Sequence, residues 1–190
     1  LSVVYLKTIK RDTMEKKTLK AGFVGSGFAA RFHYNALQHV FSAKVEIAGV
    51  FSVAREEAEQ FATHGNMVIF DTLEELIDAS DVIHVCTPPV THEEIVVAAL
   101  AKNKNVIVEK PFTGYFGDGT EGFSGENFSR EEGLQKTVES IKRMLDAEKA
   151  STGRIMYAEN WVYAPPVQKE REIIEKSKAQ ILWMNGEQSH

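Results

Sequence analysis

Two hydrophobic patterns alternate along the chain. Continuous apolar runs at 19–24, 45–51, 67–70, 82–86 and 105–109 predict buried strands. Between them, apolar residues fall at helical spacing. Ala29, Phe32, Ala36, Leu37 and Val40 mark a helix over 28–40, and Ala54, Ala58, Phe61 and Ala62 mark one over 54–62. A third covers 73–79. Asp71 or Thr72 can cap it, and Glu74 and Glu75 fall in its first turn, where the helix dipole favours negative charge. A fourth covers 92–102. Repeated β-α-β units with unbroken apolar strands predict an α/β fold: a doubly wound parallel sheet covered on both faces, with right-handed crossovers.

Beyond 109 the pattern changes. Residues 112–133 hold Gly114, Gly117, Gly119, Gly122, Gly125 and Gly133 among aromatic residues, which predicts a long loop. Ser129 and Glu132 form a capping box for a helix running to about 149, with Leu134, Val138, Ile141 and Leu145 on one face. A strand over 154–163, a helix from near Pro165 to about 176 and a last strand at 180–185 follow. The expected organisation is a tail at 1–18, a nucleotide-binding domain at 19–153 that includes the glycine-rich loop, and at 154–190 the beginning of an incomplete, truncated α/β domain. Met14 is the expected natural start.

Composition narrows the function classes. With 43% hydrophobic and 26% charged residues, the chain is composed to bury a core. A net charge of -5 without a basic stripe argues against a nucleic-acid partner. No apolar stretch reaches membrane-spanning length. Cys86 is the only cysteine and sits in a predicted buried strand, which suits a small hydrophobe in a reducing, cytoplasmic setting. No metal site is expected: Asp118, Glu121 and Glu126 lack the spacing of a calcium loop, and Glu187 with His190 is too few ligands.

The chemistry is concentrated in two motifs. Gly25-Ser26-Gly27-Phe28-Ala29-Ala30 follows a strand and opens a helix. The first glycine permits the tight turn, the second lets backbone approach a pyrophosphate, and Ala30 allows close helix–strand packing. Amides at the helix start then face the anion. The plain alternative is an ordinary glycine turn. At the adenosine end, the position that often holds a carboxylate is Ser52, with Arg55 three residues later. Serine does not repel a 2′-phosphate and Arg55 could pair with one, though Arg55 also suits a solvated helix face. NAD and NADP both stay open. The second motif is Glu109-Lys110-Pro111, after the last apolar run. Proline biases Lys110 to extended geometry, against the bland reading of a loose surface lysine.

These motifs, with Thr87-Pro88-Pro89-Val90-Thr91-His92 between them, resemble the Gfo/Idh/MocA family of nicotinamide-dependent oxidoreductases. The resemblance implies a Rossmann domain followed by an α/β domain with a large open sheet. It implies hydride transfer between NAD or NADP and a sugar-like or polyol small-molecule substrate, and a homo-oligomer formed through the C-terminal sheet of the complete protein. By the same resemblance Thr87, Pro88 and His92 lie along the cofactor, Glu109 is a ribose-side contact, and Lys110 is the catalytic lysine beside nicotinamide and substrate. His33 is a weaker candidate. Asn160-Trp161 stands where a residue crosses to the nicotinamide, although Val162 replaces the arginine common in the family and Trp161 could equally be core. The family's paired Asp and His would come after the last helix, so the truncation leaves a second reading open: a non-catalytic NAD(P)-binding sensor or assembly module. An S-adenosylmethionine-dependent transferase would use the glycine turn but leaves the lysine motif unexplained.

Overall fold

A computed structural model describes residues 17–117 and 123–185. Most of the 1–18 tail, Met14, Asp118, Glu121, Glu187 and His190 lie outside the described residues.

The elements are β1 (Thr18–Val24), α1 (Phe28–Leu37), β2 (Lys44–Phe51), α2 (Arg55–Ala62), α3 (Leu73–Ala79), β3 (Val82–Val85), α4 (His92–Ala101), β4 (Asn105–Val108), α5 (Arg130–Lys149), β5 (Ile155–Tyr157) and α6 (Pro165–Ser177). The five strands form one sheet in the order β2-β1-β3-β4-β5, and every pairing is parallel. Alternating strand residues feed two cores. Ile83, Val85, Val106 and Val108 pack with Leu76, Ile77, Val96 and Leu100 from α3 and α4, and with Met144 from α5. Phe23, Val50 and Cys86 pack on the other face with Ala30 from α1 and with Ala58 and Phe61 from α2. Two buried faces are the reason the strands read as unbroken apolar runs.

Four expectations need correction. Residues 67–70 do not form a regular strand. They touch β2 through one bridge, Val50 to Ile69, flanked by Val50 N–H to Val68 O and Phe70 N–H to Val50 O, both 2.9 Å. The strand expected at 154–163 is only Ile155–Tyr157, and it adds to the first sheet beside β4 instead of beginning a second. Its partner stops at Val108, just ahead of Pro111, which has no N–H to donate. Trp161–Tyr163 then turns as a 3-10 helix. Residues 180–185 have no regular structure, and among the described residues no strand pairs with them. In α5 the buried residues are Ser140 and Met144, while Leu134, Val138 and Leu145 are exposed. The helix is rotated so that Ser140 meets Thr113 at 2.9 Å and Arg143 pairs with Glu93 of α4.

Candidate functional site

The sheet brings the C-terminal ends of β1, β2 and β3 side by side. β1 and β3 are neighbours, but the chain leaves β1 to one side and returns on the other, so a crevice opens between their following loops. A cleft of about 620 Å³ lies there, lined by Gly25, Ser26 and Gly27 after β1, Ser52 after β2, and Thr87 and Pro88 after β3. A second cleft of about 480 Å³ lies beyond the first turn of α1, lined among others by Phe28, Ala29, His33, Glu109, Lys110 and Asn160.

The glycine turn separates the two clefts. Gly25 has φ +94° and donates its N–H to Phe51 O at 2.8 Å. A Cβ there would lie 2.6 Å from the Cys86 carbonyl oxygen. Only glycine accommodates both conditions. At Gly27 the backbone is unstrained and a Cβ would meet nothing within 4 Å. The space it would enter is open, on a backbone that borders the larger cleft. Gly27 is also the N-cap of α1, with no side-chain cap and no acidic residue in the first turn. The helix-start amides therefore have neither an internal acceptor nor a fixed negative charge. Ala30 is fully buried beneath this turn, as close helix–sheet packing requires.

Ser52 is held by its own loop. It accepts hydrogen bonds from the Ser26 hydroxyl and the Ala54 amide, both 3.2 Å. A hydroxyl accepting twice keeps its own proton to donate. Arg55 does not line the cleft; its guanidinium pairs with Asp71 at 2.9 Å and Glu59 at 3.3 Å. Glu57 lines the cleft instead. Thr87 is fixed by a 2.7 Å hydrogen bond from the Thr91 hydroxyl.

His92 lies outside both clefts and is fully buried. Its Nε2 is 3.0 Å from Thr87 O and its Nδ1 3.2 Å from Phe112 O. The ring ties the loop after β3 to the segment after Lys110. Trp161 lies in neither cleft nor core, being 67% exposed; its neighbours Asn160 and Tyr163 line the smaller cleft.

Lys110 is exposed at the mouth of the smaller cleft, and the Lys110–Pro111 peptide bond is cis. Its backbone N–H donates to Glu109 Oε2 at 3.1 Å. The other oxygen, Oε1, accepts from His33 Nε2 at 3.1 Å. His33 Nδ1 in turn meets His84 Nδ1 at 2.9 Å. Sequence reasoning passed over His84, Glu57, Phe32 and Tyr163. Only His84 left a signal, as the one polar residue inside an apolar strand. Phe32 and Ala36, apolar positions of the helix read from the sequence, line the smaller cleft.

A parallel doubly wound sheet with an uncapped glycine turn at its switch point defines a dinucleotide-binding Rossmann module. The chain belongs to the Gfo/Idh/MocA family: the family profile, described as an oxidoreductase family with an NAD-binding Rossmann fold, matches residues 19–123. Glucose-6-phosphate 3-dehydrogenase of Bacillus subtilis is 38% identical over 92 residues, 48% of this chain and 26% of the relative. Inositol 2-dehydrogenase of Paracoccus denitrificans is 32% identical over 142 residues, 73% of this chain and 36% of the relative. Among solved structures, an oxidoreductase of Thermotoga maritima matches with TM-score 0.65 and 27% identity, covering 85% of this chain and 44% of its own. GenD2 of gentamicin A biosynthesis, solved in complex with NAD, matches with TM-score 0.67 and 23% identity over 86% of this chain and 40% of its own, a likeness of fold. The matched stretches thus span about a quarter to under half of these relatives.

Proposed function

We propose that this chain is the cofactor-binding part of an NAD-dependent dehydrogenase that oxidises a sugar- or polyol-type hydroxyl, or reduces the matching carbonyl. One observation carries the reading. The uncapped, uncharged start of α1 separates two clefts, and the one on the far side opens beside Lys110. The relatives named for dehydrogenation of glucose 6-phosphate and inositol support the substrate class.

The residues present fit a dinucleotide. Gly25 makes the turn, Gly27 leaves open the space a phosphate would need, and the first-turn amides of α1 supply donors. Ser52 has a hydroxyl proton to offer a ribose oxygen. Thr87 and Pro88 form the opposite wall. Glu57 places a carboxylate on the adenosine side, where it disfavours a 2′-phosphate, while Arg55 is held away by Asp71 and Glu59. This favours NAD over NADP.

Nicotinamide, when bound, supplies the hydride acceptor or donor. In reduction the Lys110 ammonium polarises the substrate carbonyl oxygen and gives it a proton; in oxidation the neutral amine takes the proton of the substrate hydroxyl as the hydride leaves for nicotinamide. Glu109 holds the Lys110 backbone, and the exposed Phe28 and Phe32 rings, 4.6 Å apart, wall the smaller cleft with apolar surface.

The test is NAD binding by the full-length protein together with nicotinamide absorbance change across a panel of sugars and polyols. Lys110→Ala should lower kcat by about a hundredfold or more with NAD affinity unchanged within about twofold. Undiminished turnover would remove Lys110 from the chemistry. NAD binding by the unsubstituted protein without turnover on any substrate would favour a sensor.

A further inference from the structure

His84 is a polar residue in the middle of the parallel sheet, 3% exposed. Its ring stacks on Phe23 with centroids 5.0 Å apart. From there a hydrogen-bonded line leads out to the smaller cleft. His84 Nδ1 meets His33 Nδ1 at 2.9 Å, His33 Nε2 meets Glu109 Oε1 at 3.1 Å, and Glu109 Oε2 accepts the Lys110 amide at 3.1 Å.

With His33 in its neutral form, the proton order along this line follows from chemistry. A carboxylate only accepts, so His33 must carry a proton on Nε2. Neutral His33 then presents a lone pair at Nδ1, and His84 must donate from its own Nδ1. Burial, with the neighbouring His33 adding to it, pushes His84 down to about 3, so it stays neutral in the working range. The other titratable group on this face of β3 is Cys86, whose thiol is pushed up by burial and by Glu109 and stays protonated. A packed aliphatic residue would serve the core at this strand position. A histidine there that donates along a line ending at Lys110 has a further use.

We infer that His84 is a positioning residue for the hydride-transfer site: through His33 it sets the Glu109 carboxylate, and Glu109 sets the backbone that presents Lys110. The inference rests on the dehydrogenase reading above. It adds a residue buried behind the site that touches neither substrate nor cofactor.

The experiment uses the full-length protein with 15N-labelled histidine. At about pH 8, above the ordinary histidine range, the nitrogen shifts should place the His84 proton on Nδ1 and the His33 proton on Nε2. A His84 proton on Nε2 would overturn the inference. In parallel, His84→Leu should lower kcat on the order of tenfold, as small displacements of a reacting group do, with NAD affinity and the NAD KM unchanged within about twofold. His84→Asn, whose amide nitrogen can donate to His33, should recover most of the loss. Undiminished kcat in His84→Leu, or no recovery in His84→Asn, would overturn the inference while leaving the dehydrogenase reading in place. An unsubstituted protein that neither binds NAD nor turns over would overturn both. The tautomer assignment needs no variant, so it decides the matter if His84→Leu does not fold.

Discussion

The starts of α1 and α3 face the same physical problem and solve it in opposite ways. Both helices begin with amides that lack intrahelical partners. At α3, Thr72 Oγ1 accepts the Glu75 amide and the Glu75 carboxylate accepts the Thr72 amide, each at 3.2 Å. Glu74 adds a second charge to the first turn. At α1, the cap is Gly27, with no side-chain bond and no acid nearby. The helices α2, α4 and α5 each carry two acidic residues in the first turn, as α3 does. Completing the helix end internally stabilises the fold. Leaving it incomplete, beside a cleft, keeps its donors and its positive dipole end for an anion from outside. The α3 end therefore contributes to folding, and the α1 end is suited to binding.

The sharpest way to break that contrast is Gly27→Val. The Cβ meets nothing and the backbone is unstrained, so stability should change by less than about 1.5 kcal/mol. The branched side chain would fill the space proposed for pyrophosphate, and NAD affinity should fall by at least about a hundredfold, roughly 2.7 kcal/mol. Titration calorimetry reads the second quantity and urea denaturation the first. Normal NAD affinity in a folded Gly27→Val protein would move the cofactor off this turn. Gly25→Ala, two residues earlier, should show the reverse emphasis. A positive φ of +94° costs an alanine roughly 1–2 kcal/mol. The methyl would also press on the Cys86 carbonyl at 2.6 Å, for a total of about 3 kcal/mol of lost stability. An unshifted urea midpoint in Gly25→Ala would show that the turn relaxes.

How much of this was legible in the sequence follows from how local each feature is. The strands at β1, β2, β3 and β4 were plain because burial on both faces leaves a run of apolar residues. A cap at Asp71 or Thr72 was visible, since capping is decided within four residues, and the structure selects Thr72. The glycine turn was visible for the same reason. Arg55 and Glu57 were not separable: two helical positions differ by roughly 200° around the axis, and only the packed structure shows which faces the cleft. The rotation of α5 was hidden likewise. Leu134, Val138 and Leu145 make a good apolar stripe, but α5 packs on α4 through Ser140 and Met144. The His84–His33–Glu109 line joins residues 51 and 76 positions apart on three elements, and no spacing rule reaches that far. The position of His92 outside both clefts was hidden for a related reason. Its place in the loop motif was legible, but the Phe112 carbonyl that captures its ring lies 20 residues on.

The smallest expected effect sharpens the contrast from the other side. Thr72→Ala removes the side chain that accepts the Glu75 amide and leaves the Glu75 carboxylate with only the backbone half of its box. Both partners are exposed, so water replaces part of what is lost, and the expected destabilisation is about 1 kcal/mol. For a chain of this length that lowers Tm by about 2–4 °C. NAD affinity should not move, because α3 meets the larger cleft only through Leu73, and neither Thr72 nor Glu75 borders it. Glu75→Gln should give a smaller loss than Thr72→Ala: the amide oxygen still accepts the Thr72 amide, and only the charge at the dipole end is gone. A drop in NAD affinity in Thr72→Ala, at unchanged Tm, would mean that the α3 start is coupled to the cofactor cleft, and the division of labour between the two helix starts would not hold.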